Sequence, residues 1–177
     1  MTDVMLISPA GVKSYGDINV NVDEVQTGAA IRIAQNVYLV DILGRDLVEH
    51  LQQLVFNKIS GESEDTIDSA GNEAYKTLLD EFVRPVLAYR TVVELCIKTS
   101  LKIRNAGVIK NSDTNVNPTD WTDYSRLRDY YETFFVDAVN KMMDFLCKNK
   151  QAFLELPDGF CTCNRKPLYG RTRLFLG

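Results

Sequence analysis

The chain has 177 residues, 45% of them hydrophobic and 25% charged, so it is long enough for one domain with a substantial core. No apolar stretch is long enough to span a membrane, and no signal peptide is visible at the N-terminus. The four cysteines do not make a secreted disulfide framework, so we expect free thiols in a reducing cytosol. The net charge is −4, and the four cations that follow Asp158 leave −8 for residues 1–158. An acidic body with a basic end indicates a tail that binds an acidic partner.

Residues 1–22 show no helical periodicity and contain Pro9, Gly11 and Gly16. This composition predicts an extended N-terminal arm with turns. The arm also carries several apolar residues, which must be covered by something.

Residues 23–150 predict a bundle of about four helices, so the fold class is mainly α. Asp23 followed by Gln26 resembles a capping box at the start of the first of them. Gly44 ends that helix, because glycine is common just after a helix, and it forms a predicted hinge. Asp46 is the predicted cap of a second helix that ends near Phe56.

An acidic loop is predicted at residues 59–71, where few apolar groups are available to anchor the chain. The central helix of the bundle follows at 72–104 with apolar residues at helical spacing, and it ends near 105–107. Pro85 removes one backbone donor inside this helix. The apolar stripe keeps its phase across the proline, which favours one kinked helix over two separate ones and makes Pro85 a second predicted hinge.

A polar loop at 108–118 leads to a last long helix, from residue 119 or 120 to about Asn149. Its aromatic run Tyr130–Phe135 has two interpretations, a stacking platform for bases or bulky core. Helical spacing favours core. Residues 151–177 contain prolines and glycines and predict a non-helical C-terminal arm, with a short β-hairpin as an option at 168–176.

Catalytic and metal-binding patterns are weak. His50 is the single histidine, and we see no residue to pair with it in a catalytic triad. Cys161 and Cys163 are the one hint of a metal site, but structural zinc needs four ligands, and Cys96 and Cys147 fall within helical stripes. We therefore expect no catalytic residues, no cofactor and no metal, and not an enzyme.

A resemblance to a known family covers most of residues 18–153. The stretch IRIAQNVYLVDILGRDLVEHLQQL resembles the pattern near the start of phage head–tail connector (adaptor) proteins. The matching residues are Ile31, Ala34, Gln35, Leu43, Gly44 and Leu47. Further along, LLDEFVRPVLAYR, NAGVIKNS and FLCKNK are similar, in the same order, to connectors of Bacteroidetes phages, including those of the crAss-like type.

The resemblance implies a structural virion protein of the phage neck, which forms a homo-oligomer, a dodecameric ring, below the portal protein. Such a ring extends the channel, touches the genomic DNA in passing and seats the next neck or tail protein. Its two arms are the predicted contacts with sister subunits or the portal. The predicted contact residues are Val4, Leu6, Val12, Tyr15, Arg165, Lys166, Tyr169, Arg171, Arg173, Leu174 and Phe175.

Two other functions stay open at this point. The first is a nucleic-acid-binding regulator that uses the basic C-terminal tail, although the overall acidity and the lack of a basic recognition helix count against it. The second is an enzyme or metal protein built around Cys161 and Cys163. Salt-dependent DNA binding would favour the first, and bound zinc would favour the second.

Overall fold

The computed structural model describes residues 4–16, 22–104, 107–110 and 121–161. Within these residues the chain is mainly α-helical, as the sequence predicts. In chain order the elements are α1 Pro9–Gly16, α2 Glu24–Ile33, the π-helical turn π1 Ala34–Leu39, α3 Val40–Leu43, α4 Arg45–Ser60, α5 Glu73–Thr77, the π-helical turn π2 Leu78–Val83, α6 Arg84–Ser100, β1 Leu101–Arg104, β2 Gly107–Lys110, α7 Trp121–Lys148 and a 3₁₀ turn Lys150–Ala152.

Helix α6 lies at the centre of the fold, because α1, α2 and α7 all pack against it. Its apolar residues are buried around much of its circumference, including Leu87, Val92 and Leu95. A helix that is apolar on most sides must be enclosed by others, and this one is. The prediction that residues 72–104 form the core element is therefore confirmed for their helical part.

The helix from Glu73 to Ser100 is continuous, because the backbone stays helical where π2 joins α5 and α6. This confirms a single helix through Pro85. The proline ring would crowd the carbonyl of Glu81 in a regular α-helix, and that residue lies in π2, where the turn is wider. The irregularity that accommodates Pro85 thus lies one turn before it.

The helical course of the chain is interrupted at Gly44, which lies between α3 and α4 with φ 85° and ψ 158°. Essentially only glycine adopts this backbone conformation. The predicted hinge at Gly44 is confirmed as a break between two helices, and so is the cap at Asp23, whose carboxylate accepts a hydrogen bond from the backbone N–H of Val25 at 2.9 Å. Asp46 is not a cap, since α4 begins at Arg45 with Gly44 before it.

Gly44→Ala is expected to lower the free energy of unfolding by about 1–3 kcal/mol, measured by urea denaturation. A Cβ at this position would meet no atom within 4 Å, so the loss would report backbone strain alone. Gly28→Ala is the matched control. Gly28 lies within α2, where an added methyl group would also meet no atom within 4 Å, and alanine there should leave stability unchanged or raise it by up to about 1 kcal/mol. Equal losses at the two positions would contradict a special role for Gly44.

The extended arm predicted for residues 1–22 is wrong at Pro9–Gly16, which form α1. The Ser8 hydroxyl accepts a hydrogen bond from the backbone N–H of Gly11 at 3.1 Å, and Pro9 takes the first helical position, where its missing N–H costs little. Ser8-Pro9 is therefore a helix-start signal. The sequence pattern hides it, because Gly11 and Gly16, which follow it, favour an irregular chain.

The central helix ends at Ser100 and not near Arg104, and a two-stranded antiparallel hairpin follows it. The strands pair Leu101 with Lys110 and Arg104 with Gly107. Apolar and basic residues alternate along β1, which is the period of a strand, and the two-residue connection suits a hairpin. The predicted polar loop at 108–118 is therefore wrong for residues 108–110.

The core extends beyond the predicted domain boundary at residue 150. Phe153, Leu156 and Phe160 are buried together with the bundle residues. The segment up to residue 161 is thus part of the helical body, and a separate C-terminal arm can begin only after it.

Candidate functional site: the anchored chain ends

The first described residues are tied to the helical body by side-chain amides. The Gln35 side chain, buried in π1, accepts a hydrogen bond from the backbone N–H of Leu6 at 2.9 Å and donates one to the carbonyl of Val4 at 3.0 Å. Gln52 donates to the same Val4 carbonyl at 3.1 Å. The Gln35 amide therefore uses both its oxygen and its nitrogen in hydrogen bonds to the backbone, as a peptide group in a neighbouring strand would. These bonds satisfy a polar side chain that is buried in the core.

Two of the predicted N-terminal contact residues are not available to a partner. Leu6 is 2% exposed and Val12 is completely buried, both in the core of their own chain, because α1 packs against α6. Val4 is half-buried. Tyr15 is 41% exposed, and its hydroxyl donates a hydrogen bond to the carbonyl of Asp80 at 3.4 Å. Of these four residues, Tyr15 is the one that still presents a large exposed surface.

The C-terminal segment is held by Glu155, which lies over α4 and α5. Its carboxylate accepts a hydrogen bond from the Tyr75 hydroxyl at 3.0 Å and contacts the Nδ1 atom of His50. Burial, together with this hydrogen bond, raises the pKa of Tyr75 to about 12. The prediction that His50 has nothing to pair with is wrong, because its partner is 105 residues away in the sequence.

Cys147 and Cys161 form a disulfide, with their Cα atoms 5.5 Å apart, a usual separation for such a bridge. The expectation of free thiols is wrong for this pair. It failed because Cys147 is exposed at the end of α7 instead of lying deep in the helical stripe. Cys96 is buried in the core, as its place in the apolar stripe of the central helix predicts. The bridge and Glu155 together hold the segment up to Cys161 against the helical body.

The other predicted contact residues and Cys163 lie outside the described residues. The contact residues in this group are Arg165, Lys166, Tyr169, Arg171, Arg173, Leu174 and Phe175.

The acidic loop between α4 and α5 is anchored, contrary to expectation. Ile67 is buried in the core, and the Asn57 side chain donates a hydrogen bond to the carbonyl of Asp65 at 2.7 Å. Asp68 forms ion pairs of 2.6 Å with both Lys58 and Lys76. One apolar residue and a set of polar contacts are therefore enough to order a loop whose composition is strongly polar.

The Asp68 carboxyl group is expected to titrate with a pKa of about 2, which can be measured by NMR as pH falls. Its hydrogen bonds with Lys58 and Lys76 stabilise the carboxylate, so this contribution is present above the unfolded value near 3.8 and is lost as pH falls through about 2. Lys58→Met combined with Lys76→Met should return the pKa towards 3.8. Lys141→Met should not change it, and a shift in that control would show that the cause is overall charge.

A second polar cluster lies inside the bundle around Arg90, which is 7% exposed. Its guanidinium pairs with Glu94 at 2.6 Å and Glu132 at 3.1 Å, and it lies over the Tyr38 ring at 3.6 Å from the centroid. Burial raises the pKa of Glu132 and that of Tyr38, although the Arg90 charge opposes both shifts. The cluster therefore links π1, α6 and α7 through polar contacts inside the core.

The aromatic run on α7 is divided between core and surface. Phe135 is completely buried, which confirms the core interpretation there, whereas Tyr130 is 57% exposed and Phe134 is 37% exposed. Their rings pack edge to face at 4.7 Å, and Phe134 stacks on Tyr89 of α6 at 5.5 Å. The exposed rings thus cover the seam between α6 and α7.

Within the described ranges, no group of three or more histidine, cysteine or carboxylate side chains is arranged to hold a metal ion. Cys161 is occupied by its disulfide, so the suggested zinc pair with Cys163 is not supported at that residue. None of the helices in the described part of the chain is both long and apolar enough to cross a membrane.

A family profile described as "Family of unknown function (DUF6712)" matches residues 39–166, well over half of the chain. The protein therefore belongs to this family. The match spans α4, the central helix, the hairpin, α7 and the segment that carries Glu155 and Cys161. No curated protein and no solved structure matches the chain.

Proposed function

We propose that this protein is a structural subunit of a phage neck, a head–tail connector that assembles into a dodecameric ring below the portal protein. The observation that carries the proposal is the role of the residues that resemble the connector pattern. Gly44 makes the break between α3 and α4, and Gln35 ties down the start of the chain. The apolar residues of the pattern, Ile31, Ala34, Leu43 and Leu47, are all buried.

The arrangement of the body also supports a scaffold that presents its C-terminal end to partners. Glu155 and the Cys147–Cys161 bridge hold the last described segment against the body. Sixteen residues follow Cys161, with four cations and no acidic group, whereas residues 1–158 carry a charge of −8. Opposite charges on body and tail favour contact between the tail of one subunit and the body of another, or between the tail and the portal.

In this proposal the ring lies in the virion at the junction of head and tail. It extends the channel for genomic DNA and provides the seat for the next neck or tail protein. The protein works by assembly, and no catalytic step is involved.

Co-expression with the portal protein of the same phage, followed by electron microscopy, tests the proposal. Rings attached to the portal are expected for the full chain. A chain ending at Cys161 should fold, because it keeps the described core, but it should fail to form these rings. Truncation at Pro157 is unsuitable, since it also removes the buried Phe160 and one half of the disulfide. Virions without this protein at the neck would refute the function.

A further inference from the structure

Three buried apolar side chains hold the segment 149–161 on the helical body. They are Phe153, Leu156 and Phe160, and all three belong to the same core as the bundle residues. The Phe153 ring packs against Tyr75 of α5 at 5.2 Å and against Phe145 of α7 at 6.0 Å, measured between ring centroids. The segment therefore covers an apolar surface that α5 and α7 would otherwise present to water.

The backbone hydrogen bonds described for this segment are local. The N–H of Ala152 donates to the carbonyl of Asn149 at 2.9 Å, and the N–H of Phe160 donates to the carbonyl of Pro157 at 3.1 Å. Such bonds survive when the segment moves away, because both partners move together. Detachment therefore costs side-chain contacts, chiefly the burial of the three apolar groups and the contacts of Glu155 with α4 and α5.

The disulfide that closes this segment lies at the surface. Cys147, near the end of α7, and Cys161, at the end of the segment, are both exposed, and they are 14 positions apart in the sequence. An exposed disulfide is open to attack by a thiolate and is more readily reduced than a buried one. Closing a loop of this length lowers the population of the detached segment by roughly 100-fold.

We infer that the Cys147–Cys161 bridge is a redox-sensitive switch, which a dithiol opens so that the segment 149–161 leaves the body as a unit. The bundle stays folded, because the core around α6 is built by α1, α2 and α7. Release uncovers the rings of Tyr75 and Phe145, which contact Phe153 in the closed state. The inference does not depend on the proposed function, since it concerns a single chain.

Reduction proceeds by two thiol–disulfide exchanges. One thiolate of the dithiol attacks a sulfur of the bridge, forms a mixed disulfide and expels the other cysteine as a thiolate. The second thiolate of the dithiol then attacks the dithiol's own sulfur in the mixed disulfide and expels the second cysteine. The protein gains two electrons and two protons, and the dithiol leaves as its own disulfide. Glutathione disulfide takes these electrons and protons back when the bridge closes again, and leaves as two glutathione molecules.

Hydrogen–deuterium exchange of the full chain, read by mass spectrometry with and without dithiothreitol, tests the inference. In dithiothreitol the amides of residues 149–161 should exchange roughly 100-fold faster, since the bridge no longer restricts opening. Peptides from α2 and α6 should hardly change. Addition of glutathione disulfide should restore slow exchange, and peptide mapping should then recover Cys147 joined to Cys161.

The variant Cys147→Ser/Cys161→Ser is the matched control. Its segment should exchange fast without dithiothreitol and should not respond to the reagent. Cys163→Ser keeps the bridge and should respond as the unaltered chain does. Three results would overturn the inference: slow exchange of the segment in dithiothreitol, an acceleration of equal size in α2 and α6, or loss of the response in Cys163→Ser.

Glu155→Gln separates the bridge from the other contacts of the segment. It removes the carboxylate charge beside Tyr75 and His50 but leaves both bridged cysteines in place. In oxidising buffer its segment should still exchange slowly, and dithiothreitol should release it. Fast exchange in this variant while the bridge is closed would show that Glu155, and not the disulfide, controls release.

Discussion

Arg90→Met should lower the free energy of unfolding by about 3–5 kcal/mol, the largest effect expected for any single substitution in this protein. The change leaves Glu94, which is 8% exposed, without its cation and removes a guanidinium from the Tyr38 ring. Urea denaturation monitored by circular dichroism measures the loss. For a domain of this size, such a loss is a large fraction of total stability.

Two comparisons isolate the cause. Arg128→Met removes an exposed pair with Asp129 and should cost less than about 1 kcal/mol. The triple variant Arg90→Met/Glu94→Leu/Glu132→Leu should recover much of the lost stability, because no buried carboxylate is then left uncompensated. If the triple variant is no more stable than Arg90→Met, the loss comes from packing and the ionic explanation is wrong.

Cys147→Ser should lower the free energy of unfolding by about 3 kcal/mol in oxidising buffer, because the bridge closes a short loop between residues 14 positions apart. The freed segment carries Phe153 and Phe160, which are buried only while it stays in place. Thermal unfolding with and without a reductant measures the effect. The unaltered protein in reductant should match the variant.

Cys163→Ser distinguishes this pairing from an alternative one. It should leave stability unchanged in oxidising buffer, and peptide mapping should still recover Cys147 joined to Cys161. A loss of equal size from Cys163→Ser, or a recovered Cys147–Cys163 peptide, would show that the pairing is wrong.

Much of the fold can be predicted from local patterns. The apolar stripe of residues 72–100, the glycine break at Gly44 and the cap at Asp23 depend on residues close together in the chain. The hairpin cannot be predicted in this way, because Leu101 and Ile103 fit two patterns. They continue the helical spacing of the apolar residues in α6, and they also fit the alternation of a β-strand. The two π-helical turns cannot be predicted in this way either, because the buried residues of π2, Leu78, Leu79 and Val83, have a spacing that fits a regular α-helix as well.

The anchored chain ends cannot be predicted in this way, because their partners are far apart in sequence. Nothing near His50 points to Glu155, and nothing near Gln35 points to the backbone of Leu6. The apolar residues at the start of the chain resemble contacts for another subunit, although Leu6 and Val12 are in fact covered by their own chain. An apolar pattern shows that a residue is to be buried, but it does not show whether its own chain or another subunit buries it.

The two π-helical turns mark the places where the helices should best tolerate the loss of one residue. Each residue advances a regular α-helix by about 100°, and a π-helical turn accommodates one extra residue by widening, so that the helix beyond it keeps its orientation. Deletion of the exposed Asn36 from π1 should therefore restore a regular helix and leave Ile42 and Leu43 facing the core. Deletion of the exposed Gln53 from α4 should instead rotate the two parts of that helix against each other by about 100° and cost far more stability.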